Sequence, residues 1–243
     1  MQIRLLPFAS ADGATNMSAD DTLAHSAAEG TASLRFYGWS AATVSLGYFQ
    51  SHLVHRADPL LSTLPCVRRP SGGATLVHHR ELTYALALPS AQAWHGSEPW
   101  LMRMHHIIVA ALGELGLAKQ IHLVEAHPAK QSDILCFQQL TIGDVLCNGY
   151  KIVGSAQRKY RQALMQHGSI LMAQSEHTPR LPGIRELTGV QLSVEQVQTA
   201  VTRQFAQATG WHAETSTWTE SELNCIKTLI RTRYAGAAWT ERR

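Results

Sequence analysis

The dipeptide Asn148-Gly149 constrains the fold of this chain more than any other feature, because it separates two short stretches with the composition of strands. Both central positions of a type I′ turn need a positive φ, which Asn and Gly adopt more readily than other residues. The flanking segments, 140–147 and 150–159, are rich in apolar and β-branched residues. The sequence therefore predicts an antiparallel hairpin over 140–159.

Further helix and strand patterns lie on both sides of this hairpin. Short apolar runs bounded by turn residues predict strands within 33–38, 42–50, 66–89 and 167–173. Apolar residues at helical spacing predict helices at 16–29, 97–117, 193–208 and 219–233. Asn16 and Ser97 are the expected N-caps of the first two helices, and Gly30 is the expected end of the first. The pattern predicts a mixed α/β domain over residues 1–243, whose C-terminal part, 190–243, contains the last two of these helices.

Size and charge limit the classes of function. The chain has 243 residues, 45% of them hydrophobic, and its longest apolar runs fall well short of the roughly 20 residues that span a bilayer. The first sixteen residues lack the pattern of a signal peptide, so we expect a cytoplasmic protein with reduced thiols. A net charge of +3 is too weak to indicate nucleic acid, but it suits acidic protein partners.

The cysteines raise the main question about chemistry. They stand at 66, 136, 147 and 225, without a CxxC pair or the spacing of a zinc site. Lys151 follows Cys136 by one strand and one tight turn, a spacing that allows the two residues to meet across neighbouring strands. A nearby cation would favour the reactive thiolate. The residues alone also allow a core cysteine and a solvated lysine.

Two runs of small residues are candidate ligand sites. Ser71-Gly72-Gly73 follows a pair of arginines and permits close approach of a ligand to backbone N–H groups. Gly154-Ser155-Ala156 leaves similar room within a strand. Neither run matches a P-loop or a dinucleotide fingerprint. Adjacent histidines such as His78 and His79 diverge on a strand, and with 13 histidines some cluster by chance, so neither a catalytic metal nor a cofactor is expected.

Several of these motifs occur together in the order typical of one family. They are "NMSADDTL", "LRFYGWSAATVSLGYFQ", "RRPSGGATLVHHRELTY", "CF" and "GYKIVGSAQRKYRQALMQHGSI", which together cover roughly residues 16–171. The chain thus resembles the lipoate/octanoate protein ligase and transferase family, most of all its cysteine-type octanoyltransferases. The resemblance implies an α+β catalytic domain of the biotin/lipoate protein ligase type, with a mixed, mostly antiparallel sheet flanked by helices.

The resemblance also implies roles for individual residues. The cysteine followed by Phe, here Cys136, would carry the acyl group, and the lysine of "GxKxxGSAQ", here Lys151, would lower its pKa. Cys147 would then be a core residue. Substrate-binding positions would be Arg69, Ser71, Gly72, Gly73, His78, Gly154, Ser155 and Ala156, with no metal. The donor would be octanoyl-acyl carrier protein. The acceptors would be lipoyl domains, such as the glycine-cleavage H protein or 2-oxoacid dehydrogenase subunits, without nucleic acid or membrane.

Other activities stay open at this stage. An amidotransferase that moves octanoyl or lipoyl groups between carrier domains would use the same cysteine and lysine. An ATP-dependent lipoate ligase shares the glycine and lysine motifs. Where the transferases have "GGRAVLHD", this chain has "GGATLVHH", with Ala74 and His79 at altered positions. That change favours a fourth alternative, a non-catalytic relative that binds acyl groups or carrier domains.

Overall fold

A computed structural model describes residues 1–94, 96, 98–126 and 135–242. Strands in these ranges form an eight-stranded sheet in the order β11-β1-β2-β6-β10-β9-β8-β7 and a three-stranded sheet in the order β4-β3-β5. The strands are β1 Gln2–Ala11, β2 Ser33–Trp39, β3 Thr43–Leu46, β4 Cys66–Arg68, β5 Leu76–His78, β6 Glu81–Pro89, β7 Ile121–Leu123, β8 Val145–Cys147, β9 Tyr150–Lys159, β10 Ala163–Leu171 and β11 His212–Thr215.

The large sheet is mixed but mostly antiparallel, as the family resemblance implied. Only β1 pairs in parallel there, with β2 on one side and β11 on the other. From β2 onward each neighbour along the order is antiparallel. In the small sheet β3 is parallel to β4 and antiparallel to β5.

Helices cover both faces of the large sheet. They are α1 Gly13–Ala28, α2 Leu53–Ala57, α3 Ser90–Ala93, α4 Trp100–Leu112, α5 Ile184–Thr188, α6 Val194–Thr209, α7 Glu220–Leu229 and α8 Ala237–Thr240. Strand β6 lies between two layers. Leu86 shares a core with residues of α4 and α6, whereas the next residue, Ala87, packs with residues of α1. Because successive side chains of a strand point to opposite faces, both faces of β6 must be apolar, and the whole strand is buried.

The hairpin prediction is confirmed. Strands β8 and β9 flank Asn148 and Gly149, whose φ angles of 47° and 85° are both positive. The helices predicted in the C-terminal region appear as α6 and α7, each with a capping box. No helix in the described ranges is long and apolar enough to cross a membrane.

Other boundaries differ from the prediction. Helix α1 begins at Gly13 and is capped by the Asp12 side chain, which accepts from the N–H of Thr15. Asn16 is buried instead, and its amide donates to the carbonyls of Ala11 and Gly38. The expected cap Ser97 lies outside the described residues. The strand predicted over 42–50 ends at Leu46.

Three strands were not predicted from the sequence. Strand β1 has an irregular burial pattern, β7 has only three residues, and β11 is largely exposed. None of them shows the regular alternation of apolar and polar residues that marks a half-buried strand.

Candidate active site

A cavity of about 490 Å³, its open mouth included, lies beside β9 and β10 and collects most of the predicted site residues. Seven of them line it, namely Arg69, Gly73, His78, Cys136, Gly154, Ser155 and Ala156. Ser71, Gly72 and Lys151 lie behind this lining and contact residues that form it. Most of the wall is apolar, with Met17, Leu76 and Phe137 among its side chains. The cavity therefore offers a thiol to an apolar ligand.

Cys136 is half-buried and opens a short 3-10 turn, Cys136–Gln138. Its N–H donates to the carbonyl of Thr75 at 2.8 Å. Leu135, the residue before it, forms a bridge with Thr75. The expected strand end before Cys136 falls partly on residues 132–134, which lie outside the described residues. These contacts tie the thiol to the glycine-rich loop, residues 69–75.

Lys151 is brought to Cys136 by the β8–β9 hairpin, as the spacing suggested. Its buried ammonium donates to the Cys136 carbonyl at 3.2 Å and to the Gln139 carbonyl at 2.9 Å. Asp144 lies 2.7 Å away and completes three partners for the three N–H groups. Lys151 therefore fixes the backbone that carries the thiol, and Asp144 balances its charge. Gly154 makes room for it, since a Cβ there would lie 2.7 Å from the lysine Cε.

Arg69 supplies a second buried cation beside the cavity. Its guanidinium donates to the carbonyls of Gly72, Ala74 and Ser45, and also to the Ser45 hydroxyl. All five N–H groups are thus used to shape the glycine-rich loop. Burial lowers the pKa of Arg69, and the charge of a Cys136 thiolate opposes that shift. Arg69 therefore places a buried positive charge beside the cavity that Cys136 lines.

His78 presents a free ring nitrogen in this buried region. Its Nδ1–H donates to Glu81 at 2.5 Å, and its ring stacks on Trp39 with centroids 3.7 Å apart. Its Nε2 has no hydrogen-bond partner among the described residues. Burial lowers the pKa of His78, which keeps the ring neutral, with Nε2 as a proton acceptor. His79 points away, toward Ser175.

Glu81 remains charged beside this histidine. Burial alone would raise its pKa, but His78 and the hydroxyls of Thr83 and Ser169 donate hydrogen bonds to its carboxylate, and the pKa is lowered. A carboxylate that accepts several hydrogen bonds is stabilised in its ionised form. The pair therefore has the geometry of a histidine base oriented by a carboxylate.

A second histidine near the cavity is fully engaged. His167 donates from Nδ1 to Asp20 at 3.1 Å, so its Nε2 accepts from the Ser71 hydroxyl at 2.5 Å. Asp20 is itself held by Arg35 and by the Tyr37 hydroxyl. Ser71, His167 and Asp20 are hydrogen-bonded in the order of a serine-histidine-aspartate triad. However, Ser71 is 1% exposed and does not line the cavity. This chain of bonds anchors the glycine-rich loop to β10.

Ser155 belongs to a third hydrogen-bond chain. His105 donates from Nδ1 to the Gly143 carbonyl, so its Nε2 accepts from the Ser155 hydroxyl at 2.6 Å. The Tyr84 hydroxyl then donates to Ser155, since burial raises the Tyr84 pKa to about 12 and keeps it protonated. Because its hydrogen is committed to His105, the Ser155 hydroxyl has no free hydrogen to donate to a ligand.

Sequence reasoning missed the residues that hold these groups, namely Asp20, Glu81, His105, Asp144 and His167. Asp20, Glu81 and His167 lie within the quoted motifs, but no role was predicted for them. A usable signal was a charged residue inside a segment predicted to be buried, since such residues are rarely buried unless they are paired.

The fold and the clustering of these residues agree with the family that the sequence motifs indicated. A model of the lipoyl protein ligase A/B catalytic domain matches residues 12–180, well over half of the sequence. The chain belongs to this family.

Relatives within the lipoyl ligase family align along nearly their whole length. An octanoyltransferase LipM from Kyrpidia tusciae is 30% identical, and the alignment covers 99% of this chain and 98% of the relative. The octanoyltransferase LipM of Bacillus subtilis is 26% identical, with the same coverage of both chains.

Solved structures share the fold at lower identity. A lipoate-protein ligase A bound with ATP superposes with a TM-score of 0.80 at 21% identity, covering 99% of both chains. A bipartite lipoate protein ligase from Thermoplasma acidophilum gives 0.73 at 19% identity, covering 99% of this chain and 96% of that one. These structures confirm the predicted ligase-type fold.

Proposed function

We propose that this protein transfers an octanoyl group to the lysine of a lipoyl domain through a thioester on Cys136. The observation that carries the proposal is the placement of Cys136 on the wall of a mainly apolar cavity, between the glycine-rich loop and β9. The near full-length similarity to octanoyltransferases supports the choice of acyl group.

In the first step Cys136 exchanges with a thioester donor. The thiolate sulfur bonds to the octanoyl carbonyl carbon, the donor C–S bond breaks, and the carrier leaves as a thiol after gaining a proton. Such covalent catalysis divides acyl transfer into two easier steps. The buried charge of Arg69 favours the thiolate that attacks. Since a thioester is already activated, this route needs neither ATP nor a cofactor.

In the second step the acceptor lysine attacks the acyl-enzyme. Its nitrogen bonds to the carbonyl carbon, the bond to Cys136 breaks, and one proton must leave the amine. We assign that proton to His78, whose Nε2 is unpartnered and whose Nδ1–H is held by Glu81. Lys151 is not given this role, because Asp144 and two carbonyls already engage the lysine ammonium. Lys151 acts instead by positioning Cys136.

The apolar part of the cavity would hold the acyl chain. Met17, Leu76 and Phe137 provide apolar surface near the thiol. Burial of an eight-carbon chain contributes on the order of 5 kcal/mol, at about 0.8 kcal/mol per methylene. That contribution is large enough to select a medium-length chain over a short one.

We propose acyl carrier protein as the donor, in the cytoplasm. The acceptors would be lipoyl domains, such as those of the glycine-cleavage H protein and the 2-oxoacid dehydrogenases. Such acidic carrier domains suit a chain with a net charge of +3. An exchange of acyl groups between two lipoyl domains would use the same thiol and is the second candidate.

Intact mass spectrometry tests the proposal. The protein mixed with octanoyl-acyl carrier protein, without ATP, should gain one octanoyl group that hydroxylamine removes and a lipoyl domain accepts. Cys136→Ser should form no adduct at neutral pH, whereas Cys147→Ser should form it normally, because Cys147 is buried in the main core.

Three outcomes would point elsewhere. An adduct from octanoyl-H protein but not from acyl carrier protein would select the amidotransferase. Acyl transfer that needs ATP and free octanoate would select the ligase. Binding of the octanoyl carrier without any adduct would leave only a binding protein.

A further inference from the structure

A second cluster of side chains lies outside the cavity and takes no part in the proposed reaction. One ring nitrogen each of His52 and His55 and the sulfur of Cys66 lie within 4.8 Å of one another. The two histidines are buried, and the cysteine is half-buried. All three line a cleft between α2, β4 and the C-terminal segment.

The hydrogen bonding of His55 identifies a ligand atom. Its Nε2 lies 3.1 Å from the carbonyl of Leu64, and a carbonyl can only accept, so Nε2 carries the hydrogen. Nδ1 therefore holds a lone pair, and it is buried with no hydrogen-bond partner among the described residues. A histidine that binds a metal usually donates its other ring N–H to a carbonyl or carboxylate in this way. An unpartnered buried nitrogen is otherwise costly.

We propose that His52, His55 and Cys66 bind a single zinc ion. Imidazole and thiolate are ligands that Zn²⁺ takes in a tetrahedral site, and three protein ligands leave a fourth position. Glu241 lines the same cleft and offers a carboxylate for that position. The Cys66 thiol loses its proton to solvent as the zinc–sulfur bond forms, so one proton is released for each ion bound.

The two arginines near the cleft are both engaged by other groups. Arg56 lines the cleft but is paired with Glu241 at 3.2 Å. Arg68 points its guanidinium at the carbonyls of Gly47, Gln50 and Thr240. Formation of the Cys66 thiolate adds the negative charge that the ion needs.

The site would fasten three separate parts of the chain. His52 and His55 lie on or next to α2, Cys66 begins β4, and the cleft is closed by residues of the C-terminal segment around α8. Strand β4 runs directly into Arg69, so zinc would also steady one end of the glycine-rich loop. The role is therefore structural, remote from the acyl group.

Metal analysis of the untagged, full-length protein tests the site. After equilibration with Zn²⁺ and dialysis, the wild type should hold one zinc per chain and should melt at a higher temperature than the chelator-treated protein. His55→Ala and Cys66→Ser should each weaken zinc binding by about 100-fold or more, as judged by competition with a chromophoric chelator. Cys225→Ser is the matched control, since Cys225 is also half-buried but lies beside His25 on another face.

Cobalt spectroscopy covers the case in which a variant fails to fold. Co²⁺ added to wild type should give thiolate-to-metal charge-transfer absorption that Zn²⁺ displaces, and folded Cys66→Ser should lack it. Unchanged zinc affinity in both variants would overturn the proposal. Loss of zinc only on His177→Ala would also overturn it and assign binding to His79, Glu176 and His177, the other cluster among the described residues with ligand atoms this close.

Discussion

At the residue scale, His78 is the side chain whose geometry most sharply predicts a role in the second step. Its neutral ring donates from Nδ1 to Glu81 and stacks on Trp39, so in the proposed step Nε2 is the atom that accepts the proton. A general base held in this way accelerates proton transfer by about 10²–10⁴-fold. Its loss should affect amine attack more than formation of the thioester.

We therefore expect His78→Gln to accumulate octanoyl-Cys136 and to slow transfer to the lipoyl domain by about 10²-fold or more. Burial lowers the pKa of His78 below its ordinary value of 6.5, so below that pH protonation of the base should make the wild-type rate fall more steeply than loss of the neutral acceptor amine alone would cause. Single-turnover deacylation measured from pH 5 to 8 checks both points. Equal slowing of the two half-reactions would assign His78 to packing.

The Lys151–Asp144 pair gives a second prediction at this scale. Lys151→Ala leaves a buried carboxylate without its cation, which typically costs about 3–5 kcal/mol. The double change Lys151→Met with Asp144→Asn removes both charges and should recover much of that stability. Denaturant unfolding measures the difference. If the double variant is also slow in forming the thioester, then Lys151 positions Cys136. If the double variant is fully active, the contacts of Lys151 with the backbone are dispensable.

At the element scale, strand β9 joins the site to the rest of the sheet. It carries Lys151 at its start and then Gly154-Ser155-Ala156 along the cavity, while β10 opposite it supplies His167. The small residues leave room for specific neighbours as well as for substrate. The Cβ that Gly154 lacks would collide with the Lys151 side chain.

Gly154→Ala should consequently displace Lys151 and with it the backbone at Cys136. Misplacement of a reacting group by about 1 Å can lower a rate by about 10²-fold, so we expect a loss of thioester formation in that range. Gly236→Ala is the matched control, because a Cβ there would meet only one atom, at an ordinary 3.4 Å. Similar rates for the two variants would show that the β9 backbone tolerates the change.

How much the sequence predicts depends on how local each interaction is. The spacing of Cys136 and Lys151, one strand and one tight turn apart, already allowed them to meet, and the family motifs implied that they do. The contacts of Asp20 with His167 and of His105 with Ser155 join residues far apart in the chain. These contacts depend on strand order and register, which periodicity does not specify.

At the scale of the whole molecule, Glu222 ties the C-terminal helices to the sheet. It accepts from Arg4 of β1 at 2.9 Å, from Ser26 of α1 at 2.7 Å, and from the backbone of Thr219. Burial would raise its pKa, but these donors outweigh that effect and lower the pKa to about 2. One carboxylate thus links three distant elements.

Glu222→Gln should destabilise the fold by about 1–3 kcal/mol at pH 7. The folded-state pKa lies below the ordinary value of 4.5, so this stabilisation is complete above that value and is lost as the pH falls toward 2. Thermal unfolding at pH 7 and pH 3 should show the gap between wild type and variant closing. Glu220→Gln, an exposed carboxylate in the same helical turn, should have little effect at either pH.

Basic residues at and just after the end of β9 are candidates for docking an acidic carrier protein. This prediction rests on the proposed donor. Arg161 is exposed, whereas Arg158 donates to the Pro70 carbonyl at 2.8 Å and lies over the Tyr48 ring. Exposed charges act mainly on encounter rates and are screened beyond about 8–10 Å at physiological salt.

Arg161→Glu should therefore slow acylation by octanoyl-acyl carrier protein, most strongly at low salt, and leave octanoyl-coenzyme A nearly unaffected. Arg158→Glu should slow both donors at every salt concentration, because it disturbs the glycine-rich loop. Acylation rates of the two variants with each of the two donors, measured across a salt series, separate the docking effect from the effect on the loop. If Arg161→Glu slows both donors equally, its charge acts within the site; if it slows neither, the carrier docks on another face.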